Sequence, residues 1–255
     1  MKSNYHTHNE RCKHAFGSVA DYARYAYDAG FNLIGMSDHA PFEGDMFGYR
    51  MDFYELPLYV EDVKEVKNQY KGKMDILLGL EIEYLPWMQR YYEELMERYF
   101  MDYLILGQHF FGIEDENVKY VHGMTSTTDY IQYALSVKEA MSKGYFKFVA
   151  HPDYIFVNDL PWDNNCVKAC DIIVDSAVKY NTGLEFNGNG IRRGISKFCD
   201  GDRYQYPHKE FFKMVAESKA LVYLNADCHK PEELDDEAME LSRKIACEWN
   251  LNLVN

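Results

Sequence analysis

Short apolar runs alternate with amphipathic segments of helical period seven times along the chain. Parallel strands joined by helical crossovers produce this pattern, because a parallel strand cannot reach its neighbour through a tight turn. The runs fall around Asn4 to His6, Leu33 to Ser37, Ile76 to Leu80, Tyr103 to Leu106, Phe146 to Ala150, Gly183 to Phe186 and Leu221 to Asn225. The first helix opens at Ser18, with Asp21 three residues on as a capping box, and closes at Gly30. Tyr59, Val63, Val66 and Tyr70 mark the second at a 3.6-residue period, and a third follows Pro86. Later helices run from Ser126 to Gly144, from Asn164 to Tyr180 and from Pro207. Pro231 opens the last, with Leu234, Ala238, Leu241 and Ile245 on one face. The segment from His109 to Ser126 reads as loop, and a long Gly-rich, basic stretch spans residues 187–204.

Seven such units in 255 residues predict one α/β domain over the whole chain, a closed or nearly closed parallel barrel with its site at the C-terminal rim of the strands. A doubly wound open sheet is the competing architecture, but it gathers ligands at a switch point served by few strands. The apolar fraction of 47%, with 22 tyrosines and 15 phenylalanines, excludes a disordered or fibrous chain. A formal charge of −14 has the wrong sign for a nucleic-acid partner, while a small anionic substrate stays compatible. The N-terminal stretch has no apolar h-region, and nowhere do eighteen uncharged apolar residues run together, so neither export nor a membrane is expected and the cytoplasm is the default. Six irregularly spaced cysteines read as reduced thiols, and Cys166 and Cys170 as core residues of the fifth helix.

Chemistry-bearing side chains recur where the predicted strands end. They are His6 and His8, Asp38 and His39, Glu81, His109, His151, and Asp227 with His229, so strands one to five and seven all contribute. His6 and His8, two apart on an extended segment, project to one face and suit a shared ion. Imidazole and carboxylate donors without thiolate fit zinc, manganese or iron. Glu81 lies in an otherwise apolar strand, where an unpaired carboxylate would cost several kcal/mol and a bridging metal would remove that cost. Glu83, next on the same face, reads as a solvated or supporting residue, and His122 as a surface histidine.

The ordered motifs Y-H-T-H with a further histidine at position 14, S-D-H, G-L-E-I-E, G-Q-H, A-H-P-D, N-G-N-G-I-R-R and N-A-D-C-H-K-P resemble those of the polymerase and histidinol phosphatase, or PHP, superfamily. The resemblance covers nearly the whole chain and implies a distorted, TIM-like (β/α)7 barrel with three divalent metal ions. By that resemblance, His6, His8, Glu81 and Asp227 hold the first ion, Glu81, His109 and His151 the second, and His14, His39 and His229 the third. It implies a metal-dependent phosphate monoester hydrolase, a histidinol-phosphate phosphatase of histidine biosynthesis, acting through a metal-bridging hydroxide. Glu81 bridges two ions in this scheme, Asp227 orients the hydroxide or takes its proton, and Asp38 supports His39. Arg192 is the chosen phosphate contact and Arg193 the reserve. His208, in Y-P-H where the family carries Y-P-S, is a third candidate substrate contact. The chain departs from the family after His151, where Tyr154, Ile155 and Phe156 replace an expected basic residue. Two rivals stay open: a related phosphoesterase acting on another small phosphate ester or nucleotide, and an inert metal-binding barrel.

Overall fold

Seven parallel strands pair in the order in which they occur along the chain. They are β1 (Ser3–Asn4), β2 (Leu33–Met36), β3 (Asp75–Ile82), β4 (Tyr103–Leu106), β5 (Phe146–Val149), β6 (Gly183–Asn187) and β7 (Val222–Asn225). The structure, a computed structural model, describes residues 2–44, 46–114 and 117–254. The ends of the sheet meet through an isolated parallel bridge between Thr7 and Cys228, where the His8 N–H donates to the Cys228 carbonyl at 2.9 Å. Two asparagine side chains complete the seam, Asn225 accepting from the Tyr5 N–H at 2.9 Å and Asn4 from the Ala226 N–H at 2.7 Å. The result is the nearly closed, distorted (β/α)7 barrel expected from the seven repeats, and a closed sheet leaves few strand edges to protect.

Helices α1 (Val19–Asp28), α2 (Leu56–Gln69), α3 (Gln89–Glu97), α4 (Thr127–Ser142), α5 (Asn164–Tyr180), α6 (Gly188–Arg192), α7 (Lys209–Glu217) and α8 (Glu237–Glu248) accompany the strands. The capping box of α1 forms as the sequence indicates. Ser18 Oγ accepts from the Asp21 N–H at 3.2 Å and Asp21 Oδ2 from the Ser18 N–H at 2.9 Å, a cap contributing about 1 kcal/mol. It sets the register that buries Val19, Tyr22, Ala23 and Ala26. Cys166 and Cys170 lie in the core face of α5, and all six thiols are unpaired. Among the described residues no helix is long and apolar enough to cross a membrane.

Aromatic rings fill the barrel interior. Tyr103 is edge-on to Tyr5 at 5.9 Å, and Tyr223 stacks on Phe148 at 4.9 Å. A Cβ at Gly79 would come within 2.5 Å of the Tyr103 ring, so glycine on β3 is what admits that ring. With the interior packed, polar chemistry is confined to the rim.

Two segments differ from the expectation. Residues 109–126 are not all loop: Phe110–Glu114 and Asn117–Tyr120 pair as an antiparallel hairpin in which Phe110 lies opposite Tyr120. The stretch 187–204 holds α6 and a second hairpin, Ile195–Phe198 with Gly201–Tyr204, whose turn is followed by Gly201 at φ +120°. Asp-Gly punctuation was the available signal for that turn.

Candidate metal centre

Each strand delivers side chains to the same rim. His6 and His8 flank the Thr7 bridge after β1, Asp38 and His39 follow β2, Glu81 lies in β3, His109 follows β4, His151 follows β5, and Asp227 and His229 follow β7. His151 and Asp227 take left-handed backbone, φ +30° and +44°, a conformation costing about 1–3 kcal/mol that persists only where neighbours enforce it. Gly107 creates the space for Glu81, since a Cβ there would sit 2.3 Å from Glu81 Oε1.

Seven of the nine histidines converge here with Glu81 and Asp227. His6 Nε2 and His8 Nε2 lie 3.1 Å apart, each 3.5 Å from Glu81 Oε2, and stand 3.7 and 3.2 Å from Asp227 Oδ1. His151 Nε2 is 3.1 Å from Glu81 Oε1. Among the described residues four groups bring their donor atoms within 4.8 Å of one another: His6, His8 and Glu81; Glu81, His109 and His151; His8, His39 and His229; and His8, Asp38 and Cys12, where burial pushes the thiol up and keeps it protonated. The second has the members expected from the family pattern, and the first has three of its four expected members, with Asp227 Oδ1 3.2 Å from His8 Nε2 beside it. In the third, His8 takes the place expected for His14, whose ring stands beside the group at 4.8 Å from His229 and 5.3 Å from His39.

The hydrogen bonds behind the rings decide whether these residues fit a cation. His6 Nδ1 pairs with Glu185 Oε1 at 2.8 Å, His8 Nδ1 with Asp38 Oδ1 at 3.3 Å, and His109 Nδ1 with Glu83 Oε1 at 2.8 Å. His14 Nδ1 pairs with the Cys12 carbonyl at 2.8 Å and His229 Nδ1 with the Asp227 carbonyl at 3.2 Å. In all five, Nδ1 is paired with an oxygen, which leaves Nε2 as the nitrogen free to take a cation, the arrangement that supports metal-bound imidazole. His39 Nδ1 is buried 3.0 Å from Glu81 Oε2 without an aligned hydrogen bond, so this ring nitrogen stays available to a cation. The residues therefore fit divalent ions, and nitrogen and oxygen donors without thiolate suit zinc, manganese or iron.

Electrostatics agree with that fit. Burial pushes the Glu81 and Asp227 carboxyls up, but neighbouring imidazoles, His39 and His6 for Glu81 and His6 and His8 for Asp227, hold both well below the usual carboxylate range. Burial and the charge of His8 push His229 down to about 3, and burial lowers His14. Burial opposes protonation of His8 too, yet its hydrogen bonds to Asp227 and Asp38 raise it to about 9. The carboxylates are thus ionised, and where His8 and His6 hold a proton, a cation would replace it.

A cavity of about 670 Å³ opens over the cluster. Its wall includes Phe47, Tyr49, Phe110, Tyr120, Tyr154 and Tyr206, with Arg50 and Arg193 as its cationic members. Two expected contacts are placed elsewhere. Arg192 does not line the cavity; its Nε donates to Asp236 Oδ2 at 2.7 Å, because its position on α6 turns it toward α8. His208 is 3% exposed and stacks on Trp162 at 4.9 Å, with its N–H donating to Asp153 Oδ2 at 2.5 Å, so it serves the core next to the site. Asp38 accepts from the ring of His8 and touches His39 only through the backbone N–H at 2.9 Å, so the ring it supports is not the expected one.

Four residues beyond those expected from the sequence also reach the site. The sixth strand does contribute: Glu185 Oε2 accepts from the His151 N–H at 3.0 Å, in addition to its bond with His6. Asn187 Nδ2 donates to Asp227 Oδ2 at 3.0 Å, and Asn189 reaches the same oxygen at 3.4 Å. Arg50 pairs with the buried Glu83 that orients His109. The strand-end rule that marks the candidate ligands also covers Asn187; nothing periodic marks Arg50.

Fold and site together define a metal-dependent hydrolase barrel whose candidate ligands ring the C-terminal ends of its strands. The profile of the PHP domain matches residues 4–189, and the chain belongs to the PHP domain family. It is 26% identical over 236 residues to a protein of Deinococcus radiodurans named probable histidinol-phosphatase, covering 90% of this chain and 86% of that one. A Schizosaccharomyces pombe protein of the same name is 22% identical over 256 residues, at 90% and 81% coverage. The crystal structure of histidinol phosphate phosphatase from Lactococcus lactis, complexed with zinc, L-histidinol and phosphate, superposes with a TM-score of 0.72 at 14% identity, covering 99% of this chain and 95% of that one.

Proposed function

We propose that the protein is a histidinol-phosphate phosphatase, hydrolysing the phosphate monoester to histidinol and phosphate at a centre of three divalent ions. The observation that carries this reading is the convergence of seven imidazoles with Glu81 and Asp227, five of the rings backed by an Nδ1 hydrogen bond. His6, His8, Glu81 and Asp227 would hold one ion, Glu81, His109 and His151 a second, and His39 and His229 with His14 or His8 the third. Divalent ions held there would polarise the phosphoryl group and bring the pKa of a bound water down to about 7.

The chain's own residues supply the rest. Asp227 Oδ2 is occupied by Asn187 and Asn189, which leaves Oδ1 to orient the attacking water or take its proton. Arg193 borders the cavity with its guanidinium 5.8 Å above the Tyr206 ring, and it replaces Arg192 as the residue assigned to the phosphate. Tyr154, Phe110 and Tyr120 offer flat apolar surface to the imidazole ring of histidinol and exclude water from the reacting phosphorus. The Deinococcus radiodurans and Schizosaccharomyces pombe relatives, both named probable histidinol-phosphatase, support this substrate.

The test is to strip the protein with a chelator and reload it separately with zinc, manganese and iron. Phosphate release is then followed from histidinol phosphate and from a panel of nucleotide, sugar and diester phosphates. Metal-dependent release with the highest kcat/KM for histidinol phosphate is expected. A higher value for another compound overturns the substrate, and no release above background overturns the enzyme.

A further inference from the structure

Arg192 ends α6 with its side chain 17% exposed and pointed at the segment behind the metal centre. Its Nε and Nη2 donate to Asp236 at 2.7 and 3.3 Å, Nη2 donates to the Glu233 carbonyl at 2.9 Å, and Nη1 to the Ala226 carbonyl at 3.2 Å. Ala226 is bonded to Asp227, which like His151 has left-handed backbone. Glu233 grips the other end of the same turn, its Oε2 accepting from the His229 N–H at 2.8 Å and the Lys230 N–H at 3.2 Å. One network therefore holds residues 226–230 on both sides of the two ligands they carry.

The position of α6 is itself fixed. A Cβ on Gly188 would lie 2.3 Å from Met239 Sδ of α8, and one on Gly190 would lie 2.0 Å from the Tyr206 carbonyl oxygen. The two glycines of N-G-N-G let α6 seat against both walls, which brings the Arg192 guanidinium to Ala226. Asp236, which also caps α8 by accepting from the Met239 N–H at 3.0 Å, ties that guanidinium to a stable element.

We propose that Arg192 is a positioning residue of the metal centre, a strut that keeps Asp227 and His229 in ligand geometry through Ala226, Glu233 and Asp236, and that it does not bind the phosphate. The proposal rests on the reading that Asp227 and His229 hold cations. Partners behind metal ligands are generally worth about 10–100-fold in metal affinity or activity, which sets the scale expected here.

The experiment compares wild type, Arg192→Ala, Arg192→Lys and Glu233→Ala as metal-loaded proteins. It measures the rate of metal release to a chelator, kcat, and the inhibition constant of inorganic phosphate. Arg192→Ala is expected to release metal roughly 10–100-fold faster and to lose kcat by a similar factor, with phosphate inhibition within about twofold of wild type. Arg192→Lys, which keeps the charge but not the fork, should fall between them. If Arg192→Ala does not fold, Glu233→Ala carries the test and should also release metal faster. Wild-type metal release in the variants, or phosphate binding weakened tenfold at unchanged release, overturns the strut. Wild-type protein that takes up no metal overturns the site reading instead.

Discussion

Glu185 and His6 share a 2.8 Å hydrogen bond between Oε1 and Nδ1, while the other carboxylate oxygen accepts from the His151 N–H at 3.0 Å. One acidic side chain on the sixth strand thus orients candidate ligands that follow the first and fifth. It is fully buried, and Asn225 and Asn187 complete its hydrogen bonding with donors at 3.0 and 2.8 Å.

Glu185→Gln keeps the shape but loses the charge that fixes the His6 tautomer. Metal affinity measured by competition with a chromophoric chelator should fall about 10–100-fold, with the circular dichroism spectrum retained. An unchanged affinity would show that the His6 ring is held by its packing alone.

Gly107→Ala tests a steric requirement. The added methyl would meet the Glu81 side chain at 2.3–2.6 Å, and Glu81 has no room to withdraw because four histidine rings surround it. Overpacking of this kind costs about 1–3 kcal/mol, so a lower melting temperature is expected together with at least tenfold weaker turnover. Wild-type turnover in this variant would mean that Glu81 does not need its observed position.

The barrel and most of the cluster were legible because both follow from period. Seven strand-helix repeats leave little choice of architecture, and His6, His8, His39, His109, His151 and Asp227 all stand where a strand hands over to a loop. Glu185 escaped notice because it lies within the apolar run of β6, where it reads as strand filler, although Glu81 in β3 has the same setting. Arg192 and Arg193 illustrate another limit. Adjacent residues on a helix point about 100° apart, so a motif that ends in two arginines does not say which one faces the cavity. Tertiary packing decides it, through Asp236 on α8 and Tyr206 beside the cavity.

Arg193→Ala separates anion capture from metal binding. Loss of a charged hydrogen-bond donor costs about 1.5–3 kcal/mol, so KM and the inhibition constant of phosphate should rise roughly 10–100-fold. Metal content, measured by elemental analysis, should match wild type. A variant with unchanged phosphate inhibition would leave Arg50, the other cation of the cavity wall, as the anion contact.

Metal uptake should release protons, and the amount should depend on pH in a direction set by His8. Its hydrogen bonds with Asp227 and Asp38 outweigh burial and raise its pKa to about 9, so the cation-free chain carries an imidazolium there at pH 7.5. His6 is likewise raised well above its ordinary value, with Glu185 as the leading carboxylate working against burial. A ligating imidazole must be neutral, so each cation that enters displaces a proton, and apparent affinity weakens as pH falls. Calorimetric titration at pH 7.5 in buffers of different ionisation enthalpy should therefore show net proton release on zinc or manganese binding. Release should shrink as pH is raised through about 9, where His8 has already lost its proton in the free protein. Glu185→Gln lowers the charge facing His6 and should release less at pH 7.5. Binding enthalpies independent of the buffer would contradict the protonated state of both rings.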